Sequence, residues 1–135
     1  MSVPLPERDE SDAEFVFNAR KLAAYTVSKC VNAIPKRYTF YYGQKMAWIG
    51  TQIYMLVVDA NSRWATDTDE AKKRLALFCD AHSETRKLIA LIELADESVH
   101  FDKRMMREWM EIAAKQARLL KGVIKSERAK IRGKR

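Results

Sequence analysis

The sequence predicts an all-α protein, an up-down-up-down antiparallel four-helix bundle. Glycine and proline, the residues that most often interrupt helices, number only four and three among 135 residues. Apolar residues recur at three- and four-residue spacing in four long segments, and no segment alternates between apolar and polar residues as a strand does. Four amphipathic helices with short connections pack most simply in this way.

The first helix is expected to begin near Ser11, where Glu14 completes a capping box. It should end near Ala33, because Pro35 disfavours helical geometry at the residue before it. Its predicted buried stripe consists of Phe15, Ala19, Leu22, Thr26 and Cys30, with Val16, Ala23 and Val27 beside it.

The second helix is expected from about Thr39 to Ala60. Apolar residues surround so much of it that we expect it to be the most buried of the four. Its predicted core stripe consists of Phe40, Ala47, Thr51, Met55 and Val58, widened by Trp48, Ile49, Ile53 and Leu56.

Two further helices complete the bundle. The segment ANSRWATDTDE is a predicted loop that offers Thr66, Asp67 or Thr68 as an N-cap. The third helix then carries Leu75, Phe78, His82, Thr85, Ile89 and Ile92 on one face. The fourth follows DESVHFDKR and carries Met106, Trp109, Met110, Ala113, Ala117, Leu120 and Ile124. It is expected to continue past Gly122.

These elements divide the chain into a disordered segment (1–10), the bundle (11–126) and a basic C-terminal tail (127–135). The N-terminus shows no signal or transit peptide, and no apolar run is long enough to span a membrane. Cys30 and Cys79 lie in apolar helical stretches, as expected for reduced, buried thiols. We therefore expect a cytoplasmic protein.

Positive charge is concentrated at the C-terminus. Residues 115–135 hold nine Lys or Arg and one acid, Glu127, whereas residues 1–114 hold sixteen basic and seventeen acidic groups. Several of these cations share one face of a continued helix, which would neutralise several phosphates together. The predicted nucleic-acid-binding residues here are Lys115, Arg118, Lys121, Lys125, Arg128, Lys130 and Arg132. The alternative is a disordered, solubilising end.

The stretch IPKRYTF marks a corner between the first two helices. Lys36 and Arg37 are followed there by Tyr38, Phe40, Tyr41 and Tyr42. A patch of cations and aromatic rings suits contact with nucleic acid. Alternatively, the aromatic rings pack under the corner and the cations are only solvated.

Catalytic and metal-binding patterns are sparse. Cys79 and His82 are spaced to share a helix face, but a structural zinc site needs four ligands. Glu97 and His100 match one half of a di-iron motif that requires a second copy and two more glutamates. A metal-dependent enzyme would rest on these four residues alone. We therefore predict no enzymatic activity, no metal site and no cofactor.

The sequence resembles the Avd-like family, the four-helix-bundle accessory variability determinants of diversity-generating retroelements. The resemblance lies in IPKRYTFYYGQKM, in the apolar helix ending VVDANS and in LLKGVIKSER, and it extends from the first helix to Ser126. It implies a homopentamer that binds reverse transcriptase and template RNA, or an RNA/DNA hybrid, and supports mutagenic cDNA synthesis. It assigns Lys36, Arg37, Lys121, Lys125 and Arg128 to these contacts. The alternative is a scaffolding bundle with a protein partner, indicated by the many aromatic residues and methionines.

Overall fold

The computed structural model of the protein describes residues 10–133, with side chains from residue 14 onward. Its elements are α1 (Glu10–Asn32), α2 (Lys36–Tyr38), a π-helical turn (Thr39–Gly43), α3 (Gln44–Ser62), α4 (Thr68–Val99) and α5 (Lys103–Gly133). Every regular element within residues 10–133 is helical. The predicted all-α class is confirmed. The segment 1–10 lies outside the described residues except for Glu10, which begins α1, and the side chain of the predicted cap Ser11 lies outside them too.

The four long helices enclose one core. α1 packs against α3 and α5, and α4 also packs against α3 and α5. Each long helix therefore has two main neighbours, which is the arrangement of a four-helix bundle.

The core consists of two apolar layers. One surrounds Trp109, which is fully buried and contacts the ring of Phe101 edge-on at a centroid distance of 5.5 Å. The other surrounds Phe15 and Phe78, whose rings also meet edge-on at 5.5 Å. Burial of these large rings against aliphatic neighbours supplies much of the stabilising free energy.

Buried hydrogen bonds join α1 to α5. Asn18 Nδ2 donates to Gln116 Oε1 at 2.9 Å and to the carbonyl of Ile112 at 3.1 Å, and Gln116 Nε2 donates to the carbonyl of Phe15 at 3.1 Å. Trp109 Nε1 donates to Thr26 Oγ1 at 2.9 Å. Among residues 14–133, no buried side-chain nitrogen or oxygen lacks a partner. We call the Asn18–Gln116 group the polar layer.

The helix ends have recognisable caps. Asp67, one of the three predicted candidates, caps α4 by accepting a hydrogen bond from the Glu70 N–H at 2.8 Å. At the other end His100 adopts a left-handed conformation with φ 56°, and the Asp96 carboxylate accepts from the Phe101 N–H. His100 therefore ends a helix, and α5 begins after a three-residue connection, residues 100–102.

The predicted buried stripe is confirmed for α1, whereas the buried face predicted for α3 is mostly wrong. All five residues predicted to line the core from α1 are buried. The face predicted for the second helix is mostly wrong, because Phe40, Trp48, Met55 and Val58 are exposed and only Ile53 of its nine residues is buried. The face that α3 buries consists of Met46, Gly50, Ile53, Val57 and Ala60.

Small residues explain the orientation of α3. A Cβ built on Gly50 would lie 3.2 Å from Cβ and Cγ2 of Thr26, so glycine permits a close approach between α1 and α3. The apolar residues cover most of the circumference, and periodicity alone therefore does not select the buried face. The helical segment also begins at Lys36, three residues before the predicted start, and includes a π-helical turn that changes its angular register.

Residues 127–133, which belong to the predicted basic tail (127–135), are part of the last helix of the bundle. α5 continues without interruption through Gly133, and Glu127 and Ile131 are buried. The Glu127 carboxylate accepts a hydrogen bond from Arg74 Nε, and Arg74 also donates to the carbonyls of Ala60 and Arg63. The last turns of α5 are thus part of the packed structure; Lys134 and Arg135 lie outside the described residues.

Candidate nucleic-acid interface

A groove of about 600 Å³ lies between α4 and α5. Its floor includes Ile124, which α5 buries against the core. The α4 wall consists of Cys79, His82, Ser83 and Arg86, and the α5 wall adds Lys121, Lys125, Arg128 and Arg132. We call this feature the cationic groove.

The four cations of the α5 wall form a stripe with four-, three- and four-residue spacing. The stripe extends about 16 Å along the helix axis, at about 1.5 Å per residue. Its position is fixed by the adjacent face of the same helix, about 100° away, which buries Leu120, Ile124, Glu127 and Ile131. The charges are therefore held on a packed helix and not on a mobile tail.

The groove lacks carboxylates that would neutralise it. In the part of the chain that the structure describes, none of the five Lys and Arg side chains that line it forms an ion pair. Glu127, the acid nearest to them in sequence, turns inward to Arg74 and also pairs with Lys130 at 3.4 Å. Like charges gathered without counter-charges produce a positive potential that favours a polyanion.

His82 belongs to the α4 wall of the groove and lies near Lys121 of the α5 wall. Partial burial lowers the pKa of His82 below its ordinary value of 6.5, and the charges of Arg86 and Lys121 lower it further. The imidazole is thus more readily neutral than a solvated histidine. A bound anion would act in the opposite direction on its pKa.

The predicted site residues fall into three groups. Lys121, Lys125, Arg128 and Arg132 lie together in the cationic groove. Arg118 and Lys115 line a second depression of about 540 Å³, where Lys115 pairs with Glu14 at 2.9 Å. Lys130 pairs with Glu127 and does not line the groove.

The corner residues form a separate surface. Lys36 and Arg37 are exposed on α2, outside the lining of the groove. The Arg37 guanidinium lies 5.0 Å from the centroid of the Tyr38 ring. Tyr42 is buried under the corner and its hydroxyl is 3.0 Å from Ser98 Oγ, whereas Phe40 is 81% exposed. The aromatic residues of IPKRYTFYY are therefore divided between packing and solvent.

The sequence pattern does not predict the α4 wall. It places His82 on the core face and does not indicate Ser83 or Arg86. One local feature of α4 could indicate this wall. Ala81, Thr85 and Leu88 are buried, and the residues next to them in sequence lie at the edge of the buried face. Which neighbouring helix meets that edge depends on tertiary packing.

Metal-binding groups do not gather in the described part of the chain. Within residues 14–133 no three His, Cys, Asp or Glu side chains are grouped so that they could hold a metal ion. Cys30 and Cys79 are both free thiols. No helix among the described residues is long and apolar enough to cross a membrane.

Comparisons with protein-family models, with curated proteins and with solved structures give no match to this chain. The function must therefore be inferred from the residues and their geometry.

Proposed function

We propose that this protein is a non-catalytic nucleic-acid-binding protein and that it binds phosphate backbones through the cationic groove. The observation that supports this function is the set of five unpaired Lys and Arg side chains on two packed helices. Such an array releases several condensed counterions at once when it binds a nucleic acid. The affinity does not require base-specific contacts.

The resemblance to the Avd-like family supports a more specific role. In this proposal the protein is an accessory subunit of a diversity-generating retroelement in the cytoplasm. It forms a homopentamer of up-down-up-down antiparallel bundles, associates with reverse transcriptase and template RNA, and supports mutagenic cDNA synthesis. Lys121, Lys125 and Arg128, which the resemblance assigns to these contacts, belong to the groove.

A salt titration tests nucleic-acid binding. Binding of the full-length protein to a structured RNA is expected to weaken steeply with salt, with a log–log slope of about −4 for five cations in the groove. Fluorescence anisotropy of an end-labelled RNA hairpin measures it. A slope near zero, or no binding at moderate salt, contradicts the proposal.

The affinity for RNA is expected to rise as the pH falls from about 7.5 to about 5.5. In the free protein His82 faces Arg86, Cys79 and Ser83 on its own helix and Lys121, Lys125 and Arg128 across the groove, and its pKa is lowered. Bound phosphates raise that pKa, so binding takes up a proton and is favoured at lower pH. We expect about a fivefold effect.

The matched control is His82→Ala, which removes the titrating group and leaves the groove's Lys and Arg charged throughout this pH range. RNA affinity measured at several pH values should then be almost flat. An equal pH dependence in both proteins would exclude His82 as its source.

A second candidate function is a scaffolding or homo-oligomeric bundle that binds a protein. It is favoured by a different surface, where Tyr41, Trp48 and Met55 recur every seven residues. Trp48 is 60% exposed and Met55 is 53% exposed, and Trp64 in the next loop is 84% exposed. Exposed aromatic residues and methionines are enriched at protein interfaces. Failure of the salt titration would favour this function.

A further inference from the structure

The lining of the cationic groove contains no large aromatic platform for base stacking. None of the described residues that form it is Phe, Tyr or Trp; its single ring is the half-buried imidazole of His82, and its apolar floor includes the aliphatic side chain of Ile124. The strongly exposed rings of Phe40, Trp48 and Trp64 lie in another part of the chain, between residues 40 and 64. A base that entered the groove would meet mainly cations, small polar groups and one half-buried imidazole, and no Phe, Tyr or Trp ring.

This lining disfavours single strands. Proteins that bind single-stranded nucleic acid usually stack bases on aromatic rings, which contributes about 1–3 kcal/mol per base. A flexible strand also loses conformational freedom when it is ordered on a protein. In this groove no Phe, Tyr or Trp ring supplies stacking that would offset that cost.

A duplex has neither disadvantage. Its bases are already stacked and paired, and it carries about one negative charge per 1.7 Å of axis, twice the density of one of its strands. The α5 stripe of about 16 Å corresponds to roughly half a helical turn. Arg86 on the opposite wall places a cation on the other side of a backbone lying in the groove.

We infer that the cationic groove takes the sugar–phosphate backbone of a base-paired duplex, as in double-stranded RNA or an RNA/DNA hybrid, and leaves the bases outside. This inference rests on the proposed nucleic-acid-binding function and specifies the form of nucleic acid. Recognition is through phosphates on both walls, so that Arg86 contributes together with the α5 cations. The preference depends on shape and charge density and is independent of base sequence.

The test compares two RNAs with equal numbers of nucleotides. One is a perfectly paired hairpin and the other is a polyuridine strand, which has little structure of its own. Full-length protein is expected to bind the hairpin at least about tenfold more tightly at moderate salt. Arg86→Gln should weaken hairpin binding several-fold, whereas Trp64→Ala, which removes an exposed ring outside the groove, should leave both affinities unchanged.

The outcomes separate the two proposals. Equal or tighter binding of polyuridine, with a steep salt dependence, would overturn the duplex inference and leave the proposed function intact. Loss of polyuridine binding in Trp64→Ala would also overturn it, since bases would then stack on a ring outside the groove. Absence of binding to either RNA would overturn both proposals.

Discussion

Replacement of Lys121, Lys125 and Arg128 together by Glu is expected to reduce RNA affinity at least about 100-fold at physiological salt. The three residues are exposed, line the same groove and form no ion pair with any described carboxylate. Reversal of their charge removes three phosphate contacts and adds repulsion. Because the three side chains are exposed and the neighbouring face of α5 supplies the core residues, helicity and unfolding temperature should change little.

A matched control reverses three cations outside the groove, Lys21, Lys45 and Lys103. They lie on α1, on α3 and at the start of α5, and their replacement by Glu changes the net charge by the same amount. Anisotropy titrations of both variants against the same hairpin distinguish the local groove from the overall charge. If the two variants lose affinity equally, the groove is not the binding site.

Removal of the Glu127 carboxylate is expected to cost about 3 kcal/mol of unfolding free energy. Glu127→Ala leaves Arg74 without its counter-charge at a position where the two side chains are only 15% and 9% exposed. Arg74 keeps its bonds to the carbonyls of Ala60 and Arg63, and its guanidinium remains 5.1 Å from the Phe78 ring centroid. Urea unfolding followed by circular dichroism measures the loss.

The comparison for this variant is Glu84→Ala, which removes the partner of the exposed Lys87. That change should cost less than about 1 kcal/mol, since exposed pairs contribute little. The double variant Arg74→Met/Glu127→Leu should recover part of the lost stability, because it removes both buried charges. A loss for Glu127→Ala no larger than for Glu84→Ala would show that α5 is not anchored through this pair.

The spacing of apolar residues predicted the buried face of a helix only where one side of that helix is clearly more apolar than the others. All five residues of the stripe predicted for α1 are buried, although Val27, expected beside that stripe, is 39% exposed. α3 is apolar on several sides, so its orientation is decided by the close contact of Gly50 with Thr26 across two helices. Nothing within the sequence of α3 alone specifies that contact.

The candidate site was predictable to a similar extent. The α5 stripe follows directly from the spacing of its cations. The α4 wall does not, because Arg86 and His82 become part of the groove only through the packing of α4 against α5. The C-terminal limit of the bundle also depends on tertiary packing. Arg74 pairs with Glu127 and so holds against the bundle residues that composition alone assigns to a basic tail.

The polar layer has a mechanical consequence for α5. Its hydrogen bonds oppose movement of this helix along its own axis. A slip of one turn, about 5.4 Å, would break the three hydrogen bonds between Asn18, Gln116 and the backbone carbonyls of Phe15 and Ile112. It would also separate Glu127 from Arg74. An all-aliphatic interface would slide more easily, because one apolar contact replaces another, so these bonds hold α5 in register with the rest of the bundle.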